Sequence, residues 1–238
     1  MFATKPMARC LTAAGVVLGM TACGASGPSD GGMVALQLGT RANGSAQVTP
    51  ATITLGSDVL VFTKVELVLK KIELERVDED DCLGADDCEE LEVGPLLVEL
   101  PLGGGPERKL LVDVGAGVFD EVEFEIHKPE DSDATDAAFL ANRPDLRQVS
   151  IRAVGTYNGA PFVWFTDLNA EQELDLVPPM TVGGGSAAEL TLLIDLGSWF
   201  GNAGGTSLVG PSTALKGQPN EGLVKENVKR SFQAECDD

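Results

Sequence analysis

The stretch "VEFEI" at residues 122–126 constrains the fold more tightly than any other. Val122, Phe124 and Ile126 share one parity, and Glu121, Glu123 and Glu125 share the other. Only an extended chain sends successive side chains to opposite faces, so this is a strand with one dry and one wet side. "KVELVLKKIELERV" (64–77) repeats the pattern with one slip. Val65, Leu67 and Leu69 hold one parity, whereas Ile72 and Leu74 hold the other. An extra residue at Lys70-Lys71 forms a bulge that returns the apolar set to the same face. A helix would also align Val61, Val65, Val68 and Ile72, but the Val and Ile content and the glutamate alternation favour the strand.

Further strands are expected at 33–38, 51–55, 95–100, 109–114, 149–156, 161–168, 172–177 and 189–195, separated by "PLGGGPE", "VGAGV", "YNGA", "VPPM" and "VGGGS". "IRAVGTYNGAPFVWF" reads as a hairpin, with Asn158-Gly159 at the two positive-φ positions. Many short strands between Gly and Pro turns predict a mainly β protein, an antiparallel β-sandwich. One short C-terminal helix is expected in 219–232, with Asn220 as N-cap and Leu223 or Val224, Val228 and Phe232 on one face. Residues 133–144 form a short helix or an ordered loop.

The N-terminus carries an address. Lys5 and Arg9 precede the apolar "CLTAAGVVLG", which is too short to span a bilayer, and "MTAC" closes at Cys23. Residues 1–22 are therefore expected to be a signal peptide. Cys23, after Thr21-Ala22, resembles the lipidated cysteine of a bacterial lipoprotein, although Met20 stands where Leu is usual. Gly24 rather than Asp after it implies the outer membrane. Residues 23–32 would be the lipid-anchored tether: "GASGPSDGG" (24–32) behaves as a coil of roughly 15–18 Å span. Residues 33–238 remain for a single domain.

Removing Lys5 and Arg9 with the signal takes Lys+Arg from 17 to 15 against 37 Asp+Glu, a formal charge of −22. Such a surface repels nucleic acid and anionic lipid. The remaining cysteines are Cys23, Cys82, Cys88 and Cys236. An oxidising envelope permits a Cys82–Cys88 disulfide closing a short loop, and leaves Cys236 odd at an end expected to fray.

"GPLLVELPL", "VDVGAGVFDEVEFEIHKP", "SIRAVGTYNGAPFVW" and "ENVKRSF" together resemble a group of uncharacterised bacterial lipoproteins. That family carries a domain of unknown function with a transthyretin-like or prealbumin-like β-sandwich. The resemblance covers most of 33–238 and implies the fold and the anchor. It implies no catalytic residue.

The acidic stretch "DEDDCLGADDCEELE" (78–92) invites a calcium reading. Aligned to an EF-type loop, Glu79, Asp81, Asp87 and Glu90 fall at ligand positions and Gly84 at the glycine, but Leu83 occupies a ligand position and strands flank the loop. The favoured reading is a solvated hairpin-type loop closed by Cys82–Cys88, with calcium at those four acids as the alternative. Asp131, Asp133 and Thr135 make a thinner second cluster. Zinc lacks a second ligand pair, and the lone His127 reads as a surface or packing residue at a strand end. There is no G-x-S-x-G elbow, Cys236 lies among acids that oppose a thiolate, and the Gly runs lack the G-K-[ST] of a phosphate loop. A sugar site would need exposed aromatics; Trp164, Trp199 and Tyr157 stand out, with core positions the favoured reading.

The expected function is thus a non-catalytic, lipid-anchored β-sandwich of the bacterial cell envelope with a binding or structural role. Its membrane contact is the lipid, and its partner an envelope or extracellular protein or a glycan. The alternatives are a calcium-dependent surface adhesion or assembly domain, and a carbohydrate-active enzyme or accessory module.

Overall fold

The computed structural model describes residues 31–41, 52–77, 88–92, 94–103 and 105–237. In chain order these form β1 (Gly32–Arg41), β2 (Thr52–Leu55), β3 (Asp58–Arg76), β4 (Cys88–Glu92), β5 (Leu96–Glu99), β6 (Glu107–Val114) and β7 (Gly117–Ile126). Helix α1 (Ala134–Asn142) follows, then β8 (Ile151–Tyr157), β9 (Ala160–Thr166), β10 (Ala170–Val182), β11 (Ala188–Asp195), helix α2 (Glu221–Lys229) and β12 (Phe232–Asp237). The protein is mainly β, a sandwich, as the alternating pattern requires.

One sheet has the order β12-β11-β1-β6; the other runs β10-β7-β3-β8-β9, with β2, β4 and β5 also pairing with β3. Their inner faces share one core. Leu36 and Leu38 of the small sheet join Val122, Phe124 and Ile126 of the large one, all within 1 % of full burial. Phe124 meets Phe232 of β12 across the layers at 5.4 Å. At one end Trp164, Trp199, Phe200 and Phe62 pack in tilted and edge-on contacts. Trp164 and Trp199 are fully buried, and their indole N–H groups donate to Ala214 O and Ser231 Oγ. Both tryptophans are core residues, as weighed above.

The bulge expected in β3 is present. Lys71 adopts φ 51°, and the β3–β7 register shifts between Lys70 and Glu73. Leu67 and Leu69 before it, and Ile72 and Leu74 after it, are all fully buried. The 158–159 hairpin is also as expected, with Asn158 at φ 50° and Gly159 at φ 80°.

Several expectations need correction or refinement. The sandwich is antiparallel as expected, with one exception among the described pairings: β1 and β11, far apart in the chain and joined by no hairpin, pair in parallel. Residues 133–144 take the helical one of their two expected forms, which adds α1 to the C-terminal helix; Asp133 caps it by accepting from the N–H groups of Thr135 and Asp136. Phe232 does not continue α2 but opens β12, where Cys236 stands opposite Leu190; pairing with β11, not fraying, governs that end. Asn220 sits at the N-cap of α2 without a side-chain cap bond, its Nδ2 donating to Thr213 Oγ1 at 2.8 Å instead. Gly32, expected to close the tether, pairs with Val114 in β1. Cys23, residues 78–87 and the Cys82 partner of the expected disulfide lie outside the described residues.

Gly155 of β8 stands opposite Phe62 where the β3–β8 register shifts. A Cβ there would collide with the Val61 carbonyl oxygen, which is backbone and cannot swing away. Gly155→Ala should cost about 1–3 kcal/mol, the usual scale of overpacking, read as a lower urea midpoint. An unchanged midpoint would contradict this close approach.

Candidate functional site

The wet face of β3, β7 and β10 is built almost entirely from carboxylates. Pairing sets Glu75 opposite Glu121 and Glu73 opposite Glu123, while Glu121 faces Asp175, Glu123 faces Glu173 and Glu125 faces Glu171. On the other side of β3, Glu90 of β4 stands opposite Glu73 in register. Like charges directly across a sheet repel one another, so these rows weaken the pairing they sit on. Because the bulge at Lys71 puts Glu73 and Glu75 on the outer face, the same device that rescues the core aligns the acids.

Three of these side chains converge. Glu75, Glu121 and Glu123 each offer a carboxylate oxygen, all within 4.8 Å of one another and all half-buried. Partial burial, then the neighbouring charges of Glu75, Glu123, Glu173 and Asp175, push the Glu121 carboxyl up to about 7. Glu123 is raised by the same causes, burial first and then Glu173 and Glu75. The site therefore holds more negative charge than it tolerates at neutral pH, and a cation placed among the three oxygens would relieve it. An ion at their centre lies about 2.8 Å from each at most, close to the 2.3–2.6 Å of calcium–oxygen bonds.

A second cluster lies beside this face, and in it each carboxylate meets a hydrogen-bond donor. Asp136, wholly buried on α1, accepts from Lys70 Nζ at 3.3 Å and from the Glu130 N–H at 2.8 Å, and meets His127 Nε2 at 2.8 and 2.9 Å. His127 Nδ1 faces Glu125 at 3.3 Å, and Asn169 donates to the same Glu125 oxygen at 2.7 Å. Lys70 also bonds Asp133 at 3.1 Å, and the two carboxylates hold its ammonium above the ordinary lysine range against the opposing effect of burial. Contacts with Thr135 and Lys70 hold the Asp133 carboxyl well below its usual range. Of the surface and packing roles open to His127, the structure gives it packing: it is 8 % exposed and pins α1 to the end of β7. A hollow of about 340 Å³ opens there, lined by His127, Ser132, Asp133, Asp136 and Asn169 among others. Ser132 and the His127–Asp136 pair look like parts of a hydrolase triad, but both ring nitrogens already face carboxylates, leaving neither for a substrate.

Of the four calcium candidates from the sequence, Glu79, Asp81 and Asp87 lie outside the described residues, and Glu90 is placed by register alone in the row with Glu73. The sheet acids were missed as ligands. Their signal was the glutamate alternation itself, which shows a wet face; that two such strands stand side by side needs the pairing.

No protein-family model and no curated protein matches the chain. Among solved structures it is similar to MbnP from Methylosinus trichosporium, with a TM-score of 0.46 and 10% identity over 87% of this chain and 99% of that one. A likeness at that level carries no functional argument.

Two predictions follow from the charges. The folded state holds a proton on Glu121 more tightly than the unfolded chain, so that stability is complete below about pH 4.5 and is lost as pH rises through about 7. Glu121→Gln should accordingly raise the thermal midpoint at pH 8 and change it little at pH 5; equal shifts at both would contradict the crowding. Asp136→Asn should destabilise by about 3–5 kcal/mol in denaturant unfolding, since it removes the buried charge that Lys70 and His127 share and leaves them only Asp133 and Glu125.

Proposed function

We propose that this chain is a lipid-anchored, non-catalytic β-sandwich of the bacterial outer membrane that binds a hard divalent cation of the calcium class on its carboxylate face. The observation that carries the reading is the convergence of Glu75, Glu121 and Glu123 within 4.8 Å on three-strand rows of acids. Calcium takes carboxylate oxygens in flexible numbers and geometries, so a site built on a sheet face suits it better than it suits magnesium, which demands a near-ideal octahedron. Rigid strands hold the ligands in place without the cost of ordering a loop.

The anchor is supported by the "MTAC" box at 20–23 and by the resemblance to uncharacterised lipoproteins. Among the described residues no helix is long and apolar enough to cross a membrane. The non-catalytic reading is supported by His127, both of whose ring nitrogens face carboxylates. In this account a bound cation turns a self-repelling face into one able to receive another surface of the envelope, which is the calcium-dependent assembly role transferred from the 78–92 loop to the sheet.

Thermal unfolding of the mature chain with and without millimolar calcium tests the reading. We expect a higher midpoint with calcium at pH 7.5, an effect lost in the Glu121→Gln, Glu123→Gln double variant. No shift in the parent protein would remove the cation. The anchor is tested separately: Cys23→Ser should move the protein from the membrane fraction to the soluble one, and a variant that still sediments with membranes would refute lipidation at Cys23.

A further inference from the structure

Strand β9 ends the large sheet with an edge that its own sequence leaves unprotected. Sheet edges are ordinarily blunted by charge, proline or a bulge, because their bare N–H and C=O groups template another strand. Of the four strands that end the two sheets, β10 carries Glu171, Glu173, Asp175 and Pro178-Pro179, β6 carries Glu107, Arg108, Lys109 and Asp113, and β12 carries Glu235 and Asp237. β9 is "APFVWFT", with no charged side chain, in a chain of formal charge −20, and its proline stands at the start. Val163 is 56 % exposed and Phe165 45 %. The turn at 211–214 lies on the core side of β9, where Ala214 O accepts from the Trp164 indole, and leaves these two side chains open.

The hairpin fixes which backbone groups are bare. A two-residue turn at Asn158-Gly159 makes Tyr157 and Ala160 exchange both hydrogen bonds, and every second residue follows suit. Ala160, Phe162, Trp164 and Thr166 therefore direct their N–H and C=O groups at β8. The Thr166 carbonyl, which accepts from the Ser150 N–H at 2.9 Å, agrees with that phase. Pro161, Val163 and Phe165 point theirs away from β8, and among the described residues no group meets those of Val163 or Phe165. A row of bare groups beside exposed apolar side chains is satisfied by one kind of ligand, an extended chain that adds a strand.

We propose that a second copy of this chain supplies that strand, β9 pairing antiparallel with β9 about a two-fold axis at Trp164. In this register each Val163 faces Phe165 of the second copy, and the two residues exchange both hydrogen bonds. An axis at Val163 would instead set Phe165 opposite Pro161, which has no N–H to donate. Charge selects the same occupant. Copies of so acidic a chain repel one another over most approaches, whereas here an uncharged strand meets an uncharged strand. Asp167, just past β9, comes to lie opposite Pro161 and is already held by Lys216 and Lys225 at 2.6 Å. β8 and β9 stand between the seam and the acid rows of β3, β7 and β10. Five strand spacings, roughly 24 Å, separate β3 from its counterpart, well beyond the ~8 Å screening length of physiological salt. Seven residues a side fall short of the about 20–30 of a stable interface, so the dimer is reversible. The pairing and the cation site are separate, and each can fail without the other.

Sedimentation velocity from micromolar to millimolar protein tests it, on the mature chain carrying Cys23→Ser so that no lipid contributes, and with a chelator so that no cation bridges the acid faces. The parent should pass from monomer to dimer as concentration rises, and more readily at higher salt. Val163→Lys, at an exposed position that leaves the core intact, should abolish the dimer while holding the unfolding midpoint. Val163→Pro should do the same, because it deletes an N–H that points away from β8 and edge strands tolerate proline there. In amide exchange by NMR, Val163 and Phe165 should slow with concentration, while Phe162 and Trp164, already bonded to β8, should not change. The pairing is overturned if the parent stays monomeric, if Val163→Lys dimerises like the parent, or if dimers form without slowing those two amides. It is equally overturned if the chain stays monomeric and an added synthetic APFVWFT peptide alone slows them, which would give the edge to a foreign strand.

Discussion

Strand β3 is the member on which the rest depends. It pairs with β7 and β8 along its length and with β2, β4 and β5 in segments, so the whole large sheet takes its register from it. A strand of 19 residues cannot keep a strict two-residue alternation against so many partners without slipping somewhere. It shifts register near Phe62, near Lys71 and at Glu75, and the shift at Lys71, where φ is positive, is the one that bears on the acids. Before the bulge, Glu66 and Lys70 face the α1 side, where partners are waiting; after it, Glu73 and Glu75 face the acids of β7. One backbone irregularity thus serves the core and sets which charges meet.

The contrast between those two halves is the main electrostatic fact of the molecule. Glu66, 3 % exposed, is held by Arg143 at 3.2 Å, by Arg152 and by Lys64 at 2.9 Å. Asp136 is held by Lys70 and His127. A chain that matches its buried carboxylates this carefully leaves acid opposite acid across β3, β7 and β10, at a cost in sheet stability. General solubility would be served as well by scattered acids, with no need for three converging oxygens. The arrangement is accounted for if a cation binds where Glu75, Glu121 and Glu123 converge.

Much of the architecture was legible because the signals were local. The glutamate alternation identified β7, the parity slip at Lys70-Lys71 located the bulge, and Asn158-Gly159 placed the hairpin. The parallel pairing of β1 with β11 could not be read, since it depends on how distant segments dock. β12 was hidden behind a helical stripe in which Phe232 looked like one more apolar position, and tertiary pairing with β11 overrode it. The site was half visible: the acids of 121–125 were seen as a wet face, but density of charge drew attention to 78–92. Convergence of side chains on neighbouring strands is a property of register, which a single sequence does not state. His127 was undervalued for a similar reason, as its partner Asp136 lies on a helix whose docking is not written in either residue.

The measurement that goes most directly to the central claim is an isothermal calcium titration of the mature chain compared with two double variants. Glu121→Gln with Glu123→Gln neutralises the sheet face, and Asp81→Asn with Asp87→Asn neutralises the 78–92 loop. The account predicts that the parent and the loop variant bind calcium alike while the sheet variant loses the binding heat. Binding that survives in the sheet variant and vanishes in the loop variant would contradict it.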